Sequence, residues 1–410
     1  MKGDSRVRPW RWLLLGLAML TPARAVTAGI EGFKHSSWTP EQGAPGNVVG
    51  ITQSREGYLW LASAEGVYRF DGLSFERIPL PRDSRFANAI PTSIFRDRAG
   101  TIWVGFNQNA GAAIYRSGRL VPVPMPDAPP SILKFAQTRD GAIWALWGGQ
   151  GNRLFRYLEG KWQLMDPVVA LPPGEIASMA TTADDSLWVA LGQSREVGSL
   201  ARLPWGASRF VTEPDRVGFT MLGRAPDDAL WISDIIGTRR IRDRLGKAVP
   251  GDRDFAAVPG AAVPSLAFDR RGGIWGTTRG VGLFRIDPAA AAPLERLQAG
   301  RLLTSDATIE TFVDREGSVW VATDAGLDRY RPVAIARLPL IPTDVQDGLK
   351  MAAAADGTVF VAAAHRLYAI APGAPGRVVR DGVGRVGALC PATGGGVWAV
   401  HAGRVTRYGG

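Results

Sequence analysis

At 410 residues, with 46% hydrophobic and 21% charged side chains, the chain has the composition of a globular protein and is long enough to bury a sizeable core. Its formal charge of +10 rests on 48 basic residues, 42 Arg and six Lys, yet no Lys/Arg cluster interleaves with aromatics, which argues against nucleic-acid binding. The single cysteine, Cys390, excludes an intrachain disulfide framework, CxxC redox chemistry and a cysteine-built zinc site.

The chain opens on a basic stretch, Lys2, Arg6, Arg8 and Arg11, followed by the apolar run Leu13 to Leu20 and then Ala23-Arg24-Ala25. This is the pattern of a secretory signal cleaved after Ala25, because the apolar run is shorter than the roughly twenty residues that cross a bilayer. An uncleaved anchor is the other reading of the same segment. Farther on, Asp356 and Gly357 break the alanine-rich stretch from Met351 to Ala364, which reads better as strands. The expected location is therefore periplasmic or secreted.

From there a unit recurs. A tryptophan, once a phenylalanine, stands at Trp60, Trp103, Trp144, Trp188, Trp231, Trp275, Trp320, Phe360 and Trp398, at intervals of 38 to 45 residues. Most are preceded by an Asp/Gly turn, as at Asp97 to Gly100, Asp140-Gly141, Asp269 to Gly273 and Asp314 to Gly317. After each comes an apolar run that usually carries an arginine: Arg69, Arg116, Arg156, Arg202, Arg242, Arg285, Arg329 and Arg407, with Ala369 in the eighth unit. The first unit shows the layout, with strands at Val48 to Thr52, Tyr58 to Ala62, Val67 to Phe70 and Leu73 to Ile78, and an Asp71-Gly72 hairpin before the last. Four antiparallel strands in about forty residues make one blade of a β-propeller. A blade cannot bury both faces alone, so the tryptophans are expected to fill the wedges between blades rather than to stack on sugars. The fold class is all-β, with almost no helix.

The segments Asp97 to Gly105 (Asp-x-x-Gly-x-Ile-Trp-Val-Gly) and Asp314 to Tyr330, together with the opening Trp38-Thr39-Pro40-Glu41-Gln42-Gly43, resemble the two-component regulator propeller repeat. The resemblance covers roughly residues 35–408. It implies the periplasmic sensor half of a bacterial sensor histidine kinase or hybrid two-component regulator, with a histidine kinase or the remaining sensor portion as partner and a dimer across the membrane. It also implies a second propeller, a small β-sandwich, a membrane helix and a kinase. The expected layout is a signal peptide over 1–25, a seven-bladed propeller over 26–335 completed by the Trp38 strand, and two blades of a second, incomplete propeller over 336–410. The chain is then either a piece of a longer sensor or a short sensor that works with a separate partner. Blades four and five depart from the family, with Ala183-Asp184-Asp185-Ser186 and Pro226-Asp227-Asp228-Ala229 where a turn glycine is preferred.

The distance from each tryptophan to its arginine is longest in blades two to five, so the connections between second and third strands carry insertions there. Those connections open on one face, around the channel mouth, and insertions confined to one class of loop mark a binding face. The candidate ligand-binding residues are Asn107 and Gln108, with Asn109 beside them, then Trp147, Gln150, Asn152, Arg195 (flanked by Gln193 and Glu196), Asp234, Arg239 (followed by Arg240), Arg279 and Asp324. Amides, an aromatic and arginines suit a small polar ligand, carbohydrate or an anionic small molecule. No cofactor or metal is called for. His35, His365 and His401 are the only histidines and none lies in those loops, which disfavours catalysis. Asp184-Asp185 and Asp227-Asp228 read as solvent-exposed turn formers rather than an acid/base pair. The alternatives are a streptogramin-lyase-like propeller enzyme and a protein-interaction scaffold.

Overall fold

The computed structural model describes residues 29–409 apart from 126–130, 149–152, 166–167, 171–173, 193–197, 218–220, 235, 242–253, 257, 259–264, 289, 291–292, 301, 334–339, 343–344, 346–347, 373 and 375. The described residues fall into two compact units, one within 27–336 and one within 337–410. Their only helical turns are three short 3-10 segments, Ile30–Gly32, Pro40–Gln42 and Ser84–Phe86, and none of their helices is long and apolar enough to cross a membrane. The proposed signal peptide lies outside the described residues.

In the larger unit, four-stranded antiparallel sheets follow one another. The first runs Val48–Gln53, Leu59–Ser63, Gly66–Phe70 and Phe75–Ile78, from inner to outer strand. Five more begin with the inner strands Pro91–Arg96, Ser131–Gln137, Ile176–Thr181, Met221–Arg224 and Leu266–Phe268. The seventh takes Thr308–Val313, Val319–Thr323 and Gly326–Pro332 from late in the sequence and Phe33–Trp38 from the start. In that pairing Trp38 faces Leu327 and Phe33 faces Pro332. Each inner strand lies against the next, and the seventh lies against the first, so the sheets close a ring.

The recurring turn has a local cause. Asp97, Asp269 and Asp314 each accept a backbone N–H of their own turn with one oxygen, from Thr101, Gly273 and Ser318 at 2.8, 2.9 and 2.7 Å. The other oxygen accepts the indole N–H of Trp103, Trp275 and Trp320 at 3.0, 2.8 and 2.7 Å. The hydroxyls of Thr138 and Thr182 do the same for Trp144 and Trp188. Each bond satisfies a polar group that the wedge would otherwise bury unpaired. In the fourth and fifth sheets the left-handed turn position is taken by Asp185 (φ 65°) and Asp228 (φ 70°) instead of glycine. Both side chains then reach the preceding sheet. Asp185 accepts the Arg139 N–H, and Asp228 accepts the Ala183 N–H at 2.7 Å. Asp185 is thus a buried seam residue, 3% exposed, and not the solvated turn former its sequence context suggests.

The tryptophans pack as wedges. Trp60 clusters with Ile102 and Val104 of the second sheet, Trp103 with Ile143 and Ala145 of the third, and Trp320 with Leu59 and Leu61 of the first. Directly opposite in register stand Arg69, Arg156, Arg202, Arg285 and Arg329. The guanidiniums of Arg202, Arg285 and Arg329 lie over the rings of Trp188, Trp275 and Trp320, 5.3 to 5.6 Å from the centroids, a cation–π arrangement, while Arg69 lies over Tyr58 and Arg156 pairs with Asp140. Two assignments change. Ile114, not Arg116, faces Trp103, and Arg240, not Arg242, faces Trp231. The fifth sheet therefore has no insertion, and the lengthened connections belong to the second, third and fourth, with one extra residue in the sixth.

The smaller unit holds a four-stranded sheet over residues 350–380 and a three-stranded sheet over 386–408. Phe360 is buried between them with Val386, Val397 and Ala399. Trp398, the corresponding residue of the last sheet, is 42% exposed.

Candidate functional site

Bulges in the inner strands decide what faces the channel. In the first, second, third, fourth and seventh sheets the register shifts between Val48 and Gly50, Pro91 and Ser93, Ile132 and Lys134, Ile176 and Ser178, and Thr308 and Glu310. Such an extra residue bends the strand and re-aims its neighbours. Here it places Val49, Leu133, Ala177 and Ile309 on the channel wall.

The position just past the bulge is held by Gly50, Ser93, Lys134, Ser178 and Glu310, with Met221 and Ser265 at the same place in the fifth and sixth sheets. Small residues there let the next inner strand approach closely. A Cβ on Gly50 would sit 3.1 Å from Ile94 Cγ2 and 3.2 Å from the Ile94 nitrogen. Ser93 Oγ donates to the Ile132 carbonyl at 2.7 Å, and Ser178 Oγ accepts the Leu222 N–H at 3.1 Å. Ser265 Oγ accepts the Thr311 N–H at 3.2 Å and donates to Glu310 Oε1. Lys134, Met221 and Glu310 break this rule, and all three line one cavity of about 330 Å³.

The rest of the wall includes Ile94, Leu146 and Arg279. Arg279 comes from the connection between Ile274–Thr277 and Leu283–Ile286, so the cavity lies at the end of the channel where those connections gather. Glu310 keeps an edge open to the channel although protein surrounds its carboxyl closely. That burial pushes its pKa above the ordinary glutamate value of 4.5, against the opposing pull of Lys134, the Ser265 hydroxyl and the Thr311 N–H. The Lys134 side chain makes no hydrogen bond or ion pair among the described residues, so the two charges feel each other across the cavity without touching.

The loop residues singled out from sequence meet different fates. Arg279 reaches the cavity. Asn107 bridges to Ser131 and accepts the Ile90 N–H at 2.8 Å, tying one connection to another. Gln108 and Asn109 take left-handed φ values of 54° and 60° as exposed turn residues. Trp147 stacks on Phe155 with centroids 5.4 Å apart, under the Arg153 guanidinium. Asp234 and Arg239 form a buried ion pair at 2.9 Å, with Asp234 also capping the Ile236 N–H, so their charges are spent on each other. Arg240 sits on a strand, near Asp227. Asp324 is exposed in the tight turn after Thr323. Gln150, Asn152, Gln193, Arg195 and Glu196 lie outside the described residues. Lys134 and Glu310 were missed, although a signal was present: each is a charge inside an otherwise apolar or hydroxylated inner strand.

A second cleft of about 260 Å³ opens between the third and fourth sheets, walled by Trp144, Leu187, Leu203 and Trp205. Its charged groups are already engaged: Arg156 holds Asp140, Asp185 holds the Arg139 N–H, and the Arg139 guanidinium covers Trp205 at 5.2 Å. Of these two cavities, the channel one keeps a charged side chain, Lys134, without an ion pair among the described residues.

No known family model matches the chain, and no curated protein matches it. Solved structures do. The extracellular domain of BT3049, assigned to a hybrid two-component system of B. thetaiotaomicron, matches 92% of this chain and 53% of its own length at 14% identity and a TM-score of 0.61. That of BT4673, similarly assigned in the same organism, matches 92% of this chain and 51% of its own length at 19% identity and a TM-score of 0.59. Virginiamycin B lyase from Staphylococcus aureus matches 73% of this chain over its full length at 20% identity and a TM-score of 0.58. The chain spans about half the length of the two B. thetaiotaomicron domains. At such identities what is shared is the fold, and this chain is a β-propeller protein.

Proposed function

We propose that the chain is the ligand-sensing propeller portion of a two-component signalling protein, facing the periplasm or the cell exterior and without catalysis of its own. Residues 1–25 serve as its export signal, 26–335 as a complete seven-bladed propeller and 336–410 as two blades of a second. A histidine kinase, or the remaining sensor portion that leads to one, is the partner, and pairing of two copies carries the signal. The likeness to extracellular sensor domains supports the setting.

The observation that carries the reading is the channel cavity, where Lys134 and Glu310, neither in an ion pair among the described residues, stand on opposite sides of the ring. A cavity near the lower end of the ~300–1,000 Å³ range of ligand sites, lined by aliphatic side chains together with Lys134, Arg279 and Glu310, suits a small polar ligand, carbohydrate included. A ligand that bridges the third and seventh blades draws the two halves of the ring together, a differential contact that can bias a two-state assembly.

The test is a thermal-shift and calorimetric screen of the exported chain against oligosaccharides, organic acids and amino acids. At least one class should give saturable stabilisation, weakened about tenfold by Lys134→Met or Glu310→Gln. Silence from every class would overturn the sensing role.

A further inference from the structure

From the placement of charge in the channel we infer that its ligand is a zwitterion of amino-acid type with an apolar side chain, its carboxylate directed at Lys134 and Arg279 and its ammonium at Glu310. This rests on the sensing role proposed above and narrows it to one ligand chemistry.

Three observations converge. First, the position past the bulge is small or hydroxyl-bearing in Gly50, Ser93, Ser178 and Ser265, and there it ties or admits the neighbouring strand. Lys134 gives up that bond, its ammonium makes no hydrogen bond or ion pair among the described residues, and a strand position that forgoes a seam bond to hold such an ammonium in a cavity is placed to meet an anion. Second, Glu310 is anchored by Ser265 through one carboxylate oxygen, and its side chain lines the cavity. Burial disfavours its ionised form, so an incoming cation near it recovers free energy that the empty site lacks. Third, the same wall also carries the apolar side chains Val49, Ile94, Leu133, Met221 and Ile309, with Met221 the one unbranched, adaptable side chain among them. A sugar would leave that wall without a match and would meet two cations and one anion it does not need. A ligand with both charges on one carbon and an apolar tail fits all three parts. Its net requirement, one anion shared by two cations and one cation for a single anion, also leaves no charge in the cavity unpaired.

The pH dependence follows from the groups around Glu310, namely Lys134 across the ring, Arg279 from the adjoining sixth sheet, and Ser265 and Thr311 beside the carboxyl. Acidification protonates the carboxyl and removes the attraction for ammonium, so affinity falls on the acid side while the carboxylate contacts to Lys134 and Arg279 persist.

The experiment is isothermal titration of the exported chain with leucine and methionine, with their N-acetyl derivatives, with their amides, and with maltose and cellobiose as sugar probes. The free amino acids should bind saturably, and blocking either end should cost at least about tenfold. Glu310→Gln should weaken the free amino acids and leave the N-acetyl forms unchanged, whereas Lys134→Met should weaken both. Equal binding of free and N-acetylated forms would overturn the zwitterion, as would binding of the sugars alone, and in either case the sensing role would stand. Absence of binding by every probe, with no response to either substitution in the wider screen, would remove both.

Discussion

Asp185 carries two opposed terms in one residue. Its left-handed φ of 65° is a conformation in which a Cβ costs about 1 kcal/mol, while its carboxylate ties the Arg139 N–H of the neighbouring sheet. Replacing it with alanine keeps the strain and loses the tie, so Asp185→Ala should destabilise by about 2–3 kcal/mol. Asp185→Gly loses the tie but relieves the strain, and should cost about 1 kcal/mol less. Urea unfolding of the two variants checks the order, and equal losses would assign the turn no strain. Glu310 makes a second prediction, on pH. Its pKa is higher folded than unfolded, so its ionisation opposes folding. That cost is absent below the ordinary glutamate range and grows as pH rises through the folded value. Glu310→Gln should therefore raise the melting temperature at pH 7 and leave it nearly unchanged at pH 4. A variant less stable than the parent at pH 7 would mean that Lys134 and Ser265 hold the carboxylate more strongly than burial penalises it.

Among elements, the same strand position has different values in different sheets. Trp320 is 4% exposed, bonded to Asp314, stacked on Trp38 and pressed against the first sheet. Trp398 occupies the matching place in the last sheet and is 42% exposed. Truncating a buried tryptophan costs about 3–5 kcal/mol, and an exposed one should cost under about 1 kcal/mol. Trp320→Ala and Trp398→Ala, compared by denaturant midpoint, should differ accordingly, and similar losses would deny the wedge its role. Between sheets a second device recurs. Backbone N–H groups of Arg98, Arg139, Ala183 and Arg315 are each accepted by a side chain of the next sheet: Gln137, Asp185, Asp228 and Gln53. The last of these spans the seam where the ring closes.

For the molecule as a whole, the blades were legible because every seam needs the same wedge and every wedge the same turn. The spacing of Asp97 to Trp103 is a hydrogen bond written into the sequence. The channel site was less legible, because a bulge, invisible in one sequence, decides which residues of an inner strand turn inward. Asp234 and Arg239 read as ligand groups for the opposite reason: their mutual pairing is a tertiary fact that loop polarity cannot reveal. The misplaced arginine of the second sheet has a similar origin, since the connection through Gln108 and Asn109 lengthens the step without moving the register.

The pairing of Phe33–Trp38 with Gly326–Pro332 joins the two ends of the larger unit across nearly its whole length. Six sheets can form from contiguous chain, but the seventh must wait until both ends have emerged. Until that pairing is made, the strand Gly326–Pro332 presents a bare edge able to accept a strand from any nearby chain. The ring is thus latched last, by its first strand, and an early-made segment held in reserve for that purpose makes closure a signal that synthesis of the ring is complete.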